Sequence, residues 1–395
     1  MSLVLIGGKI ITPFRIIDKG TIVIEDGKIY ELGKVSDVKI PNHSEVIDIS
    51  DKLVAPGFVD LLVHGGLGVG FTDGTFEGFE KISNYFLENG STTMLASLYA
   101  KPEKELLDNI RNLADYIFSN PESNIKGIHM EGPYLNKEFK GAMNEEFLWT
   151  PSVESWKKMW GASRGLIKLM TIAPELPGAI EVMRAAANDG VVLSIGHSMA
   201  NYPEIELAID NGAAHVTHMF NAMKPLHHRQ PGVALGALLR DELKIELIAD
   251  TYHVHPAVME FLLKVKKASG IILITDSIKP GGMHEGEEFE FANQKVRIKG
   301  GKAMLDDGTI AGSSLTLNKA VKNMINHAGA KITEAIRMAS LNGAKVLNME
   351  NTKGILASGK DADLVVLDED FEVDMTLLKG KIRYQRESSK VDKRK

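Results

Sequence analysis

A chain of 395 residues with 44% hydrophobic and 25% charged residues has the composition of an ordinary globular protein, long enough for one large domain and a smaller one. Its formal charge of −6 is dispersed, with one basic run in the KVDKRK tail, so nucleic acid is not expected as an obligate partner. There are no cysteines, which excludes disulfides and thiolate metal sites and leaves His and carboxylates as ligands for any transition metal.

The first 54 residues read as short strands and tight turns. LVLIGGKIIT and TIVIEDGKIYELGKV set Gly-Gly and Asp-Gly between β-branched runs, the signature of hairpins. The N-terminus MSLVLIGGKI lacks the charged start, long apolar core and cleavage site of a signal peptide. No stretch reaches the roughly 18 apolar residues of a membrane span, so a cytoplasmic protein without a membrane partner is expected. The β texture returns in DADLVVLDEDFEVDMTLLKGKIRY, residues 361–384. Residues 1–54 and 353–395 are therefore expected to form one small β domain, with residues 55–352 as a separate body.

The middle alternates. Apolar strand-like runs occur at GFVDLLV, TTMLASL, KGIHM, IKLMTIA, VVLSIG, AAHVTH, IELIA and IILIT, mostly separated by segments of helical period such as HPAVMEFLLKVKKASG. Eight strands in this rhythm predict an α/β fold, a (β/α)₈ TIM-like barrel. A doubly wound open sheet is the alternative, but no G-x-G-x-x-G follows the first strand. Residues 279–310, around GGMHEGEEF, read as an irregular insertion after the eighth strand.

Chemistry in such a barrel sits at the C-terminal ends of the strands. There the sequence places His64, Glu131, His197, His218, Asp250 with His253, and Asp276, so six strands of eight deliver an ionisable group to one rim. Scattered core residues would not fall in step with the strand count. Each residue also has a plainer reading: Glu131 in a structural ion pair, His197 and His218 as hydrogen-bonded core histidines, Asp276 as a turn or cap residue. Together, Glu131, His197 and His218 supply the two-His, one-Glu set of metal sites that keep a position open for water. Asp276, on the last strand, then suits a proton carrier. His215, three residues before His218, is expected on the opposite face, packing toward the helices. Asn221 and Ala222 in FNAMKPLHHRQPG could offer backbone N–H groups to an anion, with Arg229 and His253 adding reach; a basic surface turn is the other reading.

PGFVD followed by His64, with HMEGPYLN, GHSMA, THMFNAM, HHRQPG, ADTYHVHP, LITDS and TIAGSSLTLNKAV in order, resembles the amidohydrolase superfamily. More narrowly, the set resembles its N-acetylglucosamine-6-phosphate deacetylase family. The resemblance implies a metal-dependent hydrolase removing the acetyl group of a phosphorylated amino sugar, with Glu131, His197 and His218 as metal ligands and Asp276 as catalytic acid/base. It implies that Ala142, Asn221, Ala222, Arg229 and His253 bind substrate, the last two reaching in from the partner subunit of a homodimer. Two positions depart from the family pattern: Leu62 stands where a His or Gln is usual, and Met143 where some relatives carry His or Gln. With Leu62 unable to ligate, one divalent metal per chain is expected, Zn²⁺ first and Fe²⁺ second. His64 becomes a donor behind the ligands or facing substrate. Alternatives are another amidohydrolase reaction, such as a cyclic amidase or deaminase, and a non-catalytic scaffold of the same fold.

Overall fold

The computed structural model describes residues 2–283, 286–291, 294–299, 302–305 and 312–387. The predicted alternation appears as eight parallel strands, labelled β1 (Phe58–Val63), β2 (Ser91–Tyr99), β3 (Ile125–Glu131), β4 (Ile167–Ile172), β5 (Val192–Ile195), β6 (Ala213–Val216), β7 (Lys244–Ile248) and β8 (Ile271–Ile274). They pair in strict sequence order. Closure comes just beyond β8: Asp276 N–H donates to Leu62 O at 2.9 Å and His64 N–H to Ser277 O at 2.8 Å, joining the last strand to the first. The fold is a (β/α)₈ barrel.

The intervening helices bury one stripe each. In Glu103–Ser119 the buried set Leu106, Ile110, Leu113, Ala114 and Ile117 follows the three-or-four-residue spacing that gives a helix one apolar face. The helix Tyr202–Asp210 is started by reciprocal bonds, Glu204 N–H to the Asn201 side chain at 3.1 Å and Asn201 N–H to the Glu204 carboxylate at 2.7 Å.

The termini form a second sheet, in the order Lys381–Gln385, Val373–Leu378, Leu364–Leu367, Leu53–Pro56, Leu3–Ile11, Ile16–Glu25, Lys28–Lys34, with Glu45–Asp48 also pairing Leu3–Ile11. Leu5, Ile10, Ile22, Ile29, Val54, Leu364 and Leu377 make its core. The Asp-Gly signal is realised as a hairpin turn with Asp26 at φ 48° and Gly27 at φ 76°, the left-handed pair that such two-residue loops require. The chain forms two compact units, one of Met1–Asp60, Asn84–Thr93 and Thr316–Lys395, the other of Leu61–Ser83 and Met94–Leu315.

The segment expected to be irregular after β8 contains an antiparallel three-stranded sheet, Glu288–Phe291, Gln294–Lys299 and Lys302–Leu305. The start of TIAGSSLTLNKAV, residues 309–311, and the basic tail lie outside the described residues.

Candidate active site

The strand ends bring Glu131, His197 and His218 to one point. Glu131 closes β3, while His197 and His218 each sit two residues past β5 and β6. Glu131 Oε1 lies 3.2 Å from His197 Nε2 and 3.1 Å from His218 Nε2, and the two imidazole nitrogens are 3.1 Å apart. All three residues are buried. His197, His218 and Asp276 have φ of 49°, 30° and 49°, a left-handed backbone that turns each side chain off the line of its strand.

A divalent cation fits this donor set. His197 Nδ1 lies 2.8 Å from the Phe139 carbonyl, which can only accept, so in the neutral ring the proton is on Nδ1. Nε2 then aims a lone pair at a carboxylate oxygen and at a second imidazole nitrogen. Such an arrangement needs a proton or a cation between the groups. Without a metal, burial opposes protonation of His218, but its hydrogen bond to Glu131 and the charges of Glu131 and Asp276 overcome that and push it up to about 9. Burial likewise opposes the charge on Glu131, and His64, His197 and His218 hold its carboxyl well below the usual range. Among the described residues, this trio is the group of His and carboxylates able to hold a metal ion, its ligating atoms all within 4.8 Å of one another.

His64 stands between two carboxylates, its Nε2 3.0 Å from Glu131 Oε2 and 3.5 Å from Asp276 Oδ1. Burial lowers its basicity, yet Glu131 and Asp276 together raise it above the ordinary imidazole value. Asp276 is raised by burial and by the Glu131 charge, with His64, His218 and His253 opposing. A carboxyl held this way keeps a proton more readily than one in water.

These groups open into a cavity of about 340 Å³, which Ala142, Asn221, Ala222 and His253 also line. Met143, Tyr252, Ile278 and Gly312 complete its wall. Gly141, with φ 58°, passes so close that a Cβ there would sit 3.4 Å from His197 Cε1. His253 is fixed by Asp250, its Nδ1 2.6 Å from Asp250 Oδ2.

Two placements, those of His253 and His215, differ from the sequence reading. His253 lines the cavity of its own chain and needs no second subunit to reach it; it sits in the turn after β7, where its N–H donates to Asp250 Oδ1 at 2.8 Å. Arg229 is exposed, paired with His228 Nε2 at 3.0 Å, and the chain does not bring it to its own cavity. His215 faces the barrel interior. Strand register aligns Glu131 with Thr171, Thr171 with Ser194 and Ser194 with His215, placing His215 on the inward row. The alternation that suggested otherwise stops where β6 ends at Val216. Burial, then the Lys244 charge, lowers His215 to about 4. Glu246 was missed altogether; it is fully buried on β7, where burial pushes it up to about 8.

The amidohydrolase family profile matches residues 53–383. The chain belongs to the amidohydrolase family. It is 35% identical over 379 residues to the N-acetylglucosamine-6-phosphate deacetylase of Bacillus subtilis, covering 95% of each chain. Among solved structures, a mutant N-acetyl-D-glucosamine-6-phosphate deacetylase of Mycobacterium smegmatis, in complex with N-acetyl-D-glucosamine-6-phosphate, superposes with TM-score 0.91 at 30% identity, over 97% of this chain and 100% of that one. The Thermotoga maritima N-acetylglucosamine-6-phosphate deacetylase gives TM-score 0.87 at 34% identity, over 97% and 100%. Within the amidohydrolases, this chain is a member of the N-acetylglucosamine-6-phosphate deacetylase family. No helix among the described residues is long and apolar enough to cross a membrane.

Proposed function

We propose that this chain hydrolyses the acetamide of N-acetyl-D-glucosamine 6-phosphate to D-glucosamine 6-phosphate and acetate, a step of amino-sugar catabolism or cell-wall sugar recycling in the cytoplasm. The convergence of Glu131, His197 and His218 beside Asp276 carries this reading. These three residues would hold one divalent metal per chain, Zn²⁺ first and Fe²⁺ second. When bound, such an ion brings the ionisation of water toward neutral pH and polarises a carbonyl. Asp276 takes a proton from the attacking water and delivers it to the departing nitrogen, since an amine leaves poorly as an anion. His64, between Asp276 and Glu131, steadies both carboxylates.

Asn221 and Ala222 bind the phosphate at the cavity rim, while Ala142 and His253 contact the sugar. No lysine or arginine is among the described residues that line the cavity. A phosphate dianion there calls for a cation from elsewhere, and Arg229 of a second copy supplies it in a homodimer. The test is acetate release from N-acetylglucosamine with and without its 6-phosphate, before and after chelation. Turnover of the phosphorylated sugar that chelation abolishes and added Zn²⁺ or Fe²⁺ restores is the expected result; turnover indifferent to chelation overturns it.

A further inference from the structure

One wall of the cavity differs from the rest. Met143 and Ile278 line it and belong to a buried apolar cluster with Tyr99, Leu135 and Val296, against which Ala142 packs. Val296 lies on the middle strand of the inserted sheet, Gln294–Lys299, so the insertion backs this wall. The backbone on both sides is pinned: Lys140 Nζ donates to Met143 O at 3.0 Å, and Ile278 N–H to Ser313 O at 3.1 Å. Gly312, with φ 70°, leaves no slack, since a Cβ there would sit 2.7 Å from Ile278 Cγ2.

An N-acylated sugar phosphate has one wholly apolar end, the alkyl part of its acyl group. Its hydroxyls and phosphate would lose hydration against such a wall without gaining partners. Hydrolysis fixes the acyl carbon beside Asp276 and the Glu131–His197–His218 group. The sugar and phosphate then extend toward the polar lining at Asn221 and His253, and the alkyl end is left facing the wall that Ile278 supplies two residues beyond Asp276.

We propose that Met143 and Ile278, backed by Tyr99, Leu135 and Val296, form the acyl subsite and set the length of the N-acyl group this chain removes. The inference rests on the deacylation reading above and extends it to substrate class: N-acyl amino-sugar phosphates with short, unbranched acyl chains. Met143 is the adjustable member, because its unbranched thioether repacks more readily than the β-branched Ile278.

The experiment compares kcat/KM for the N-formyl, N-acetyl, N-propionyl and N-butyryl derivatives of glucosamine 6-phosphate in the metal-loaded enzyme. Wild type should prefer acetyl to butyryl. In Met143→Ala the propionyl-to-acetyl and butyryl-to-acetyl ratios should rise by about tenfold per added methylene, the discrimination an apolar pocket supplies. Met143→Phe should lower the acetyl-to-formyl ratio. Val296→Ala, which does not line the cavity, should shift the ratios as Met143→Ala does but less. If Met143→Ala fails to fold, Ile278→Val carries the same comparison. Ratios unchanged in folded variants overturn the acyl subsite while the deacetylase reading stands. A wild type that releases no acid from the acetyl compound overturns that reading, and the subsite with it.

Discussion

Two sets of polar side chains share the interior of the barrel, one deep and one at the rim. In the deep set, Ser194 Oγ pairs with Thr217 Oγ1 at 2.6 Å, Thr217 with Thr171 Oγ1 at 2.7 Å, and Thr171 with His129 Nε2 at 2.8 Å. His129 Nδ1 then donates to Leu61 O at 3.0 Å, and burial pushes the ring down to about 3, so it stays neutral with one donor and one acceptor both used. At the rim, by contrast, His197 uses its proton on Phe139 O and turns a lone pair toward Glu131 and His218. The deep set is closed on itself; the rim set is complete only with something added. Burial does not distinguish a catalytic histidine from a structural one. What distinguishes His197 from His129 is whether the donors and acceptors around the ring balance.

The largest expected effect that tests this contrast is at Asp276. Asp276→Asn should keep the fold and the metal while turnover falls about 10²–10⁴-fold, the usual contribution of a general acid–base group. Steady-state kinetics alongside elemental analysis decides it; near-full activity would make Asp276 a turn residue. Arg229→Ala should raise KM for the phosphorylated sugar about tenfold or more, as expected for a lost hydrogen bond to a charged group, and leave the unphosphorylated sugar unaffected. Mixing it with Asp276→Asn subunits should restore partial activity if the arginine acts across a dimer. Absence of recovery despite demonstrated subunit exchange would sink the shared site.

In the deep set the loss should be of stability. His129→Ala takes away the acceptor of the Thr171 hydroxyl and the side-chain donor to the Leu61 carbonyl, at a cost of about 1–3 kcal/mol in all, readable in denaturant titration, with metal content unchanged. Loss of metal from folded His129→Ala would erase the division between the two sets. The smallest effect is in the pH dependence. His218 is raised in the metal-free fold from 6.5 to about 9, so its stabilisation is full below pH 6.5 and is lost as pH rises through 9. Metal binding requires the neutral ring and removes that loss. The thermal midpoint of metal-free protein should therefore decline across this interval while that of the loaded protein holds. Parallel curves would show that protons do not substitute for the ion.

Most of the barrel was legible because each strand announces itself as an apolar run and six of the eight end in an ionisable residue unsuited to a core. That registration picks out Glu131, His197, His218 and Asp276, and the structure brings all four to one cavity. The deep set was not picked out. His129 and Glu131 are two apart and share a face, so nothing in IHMEG tells a closed histidine from an open carboxylate. Glu246 was hidden for a related reason: IELIA reads as a continuous apolar strand with one interruption, and which way that residue points depends on register with β6 and β8. His253 was assigned to the wrong subunit because its reach depends on a turn, and turns leave weaker traces in sequence than periodic segments do. The sheet within 279–310 was missed for lack of long β-branched runs.

The left-handed backbone at His197, His218 and Asp276 sets a limit on how this protein can be engineered. Each non-glycine residue held there costs about 1–3 kcal/mol, drawn from a net stability that is small in any domain. Glycine at any of the three would relieve that backbone cost, but at His197 or His218 it would also strip a partner from the buried Glu131 carboxylate, a larger loss. Every such change would remove a ligand or the proton carrier, or turn it from the cavity. Thermostable variants that keep activity should therefore carry their changes elsewhere, in the helices and the terminal sheet, and leave the conformational tension of the rim untouched.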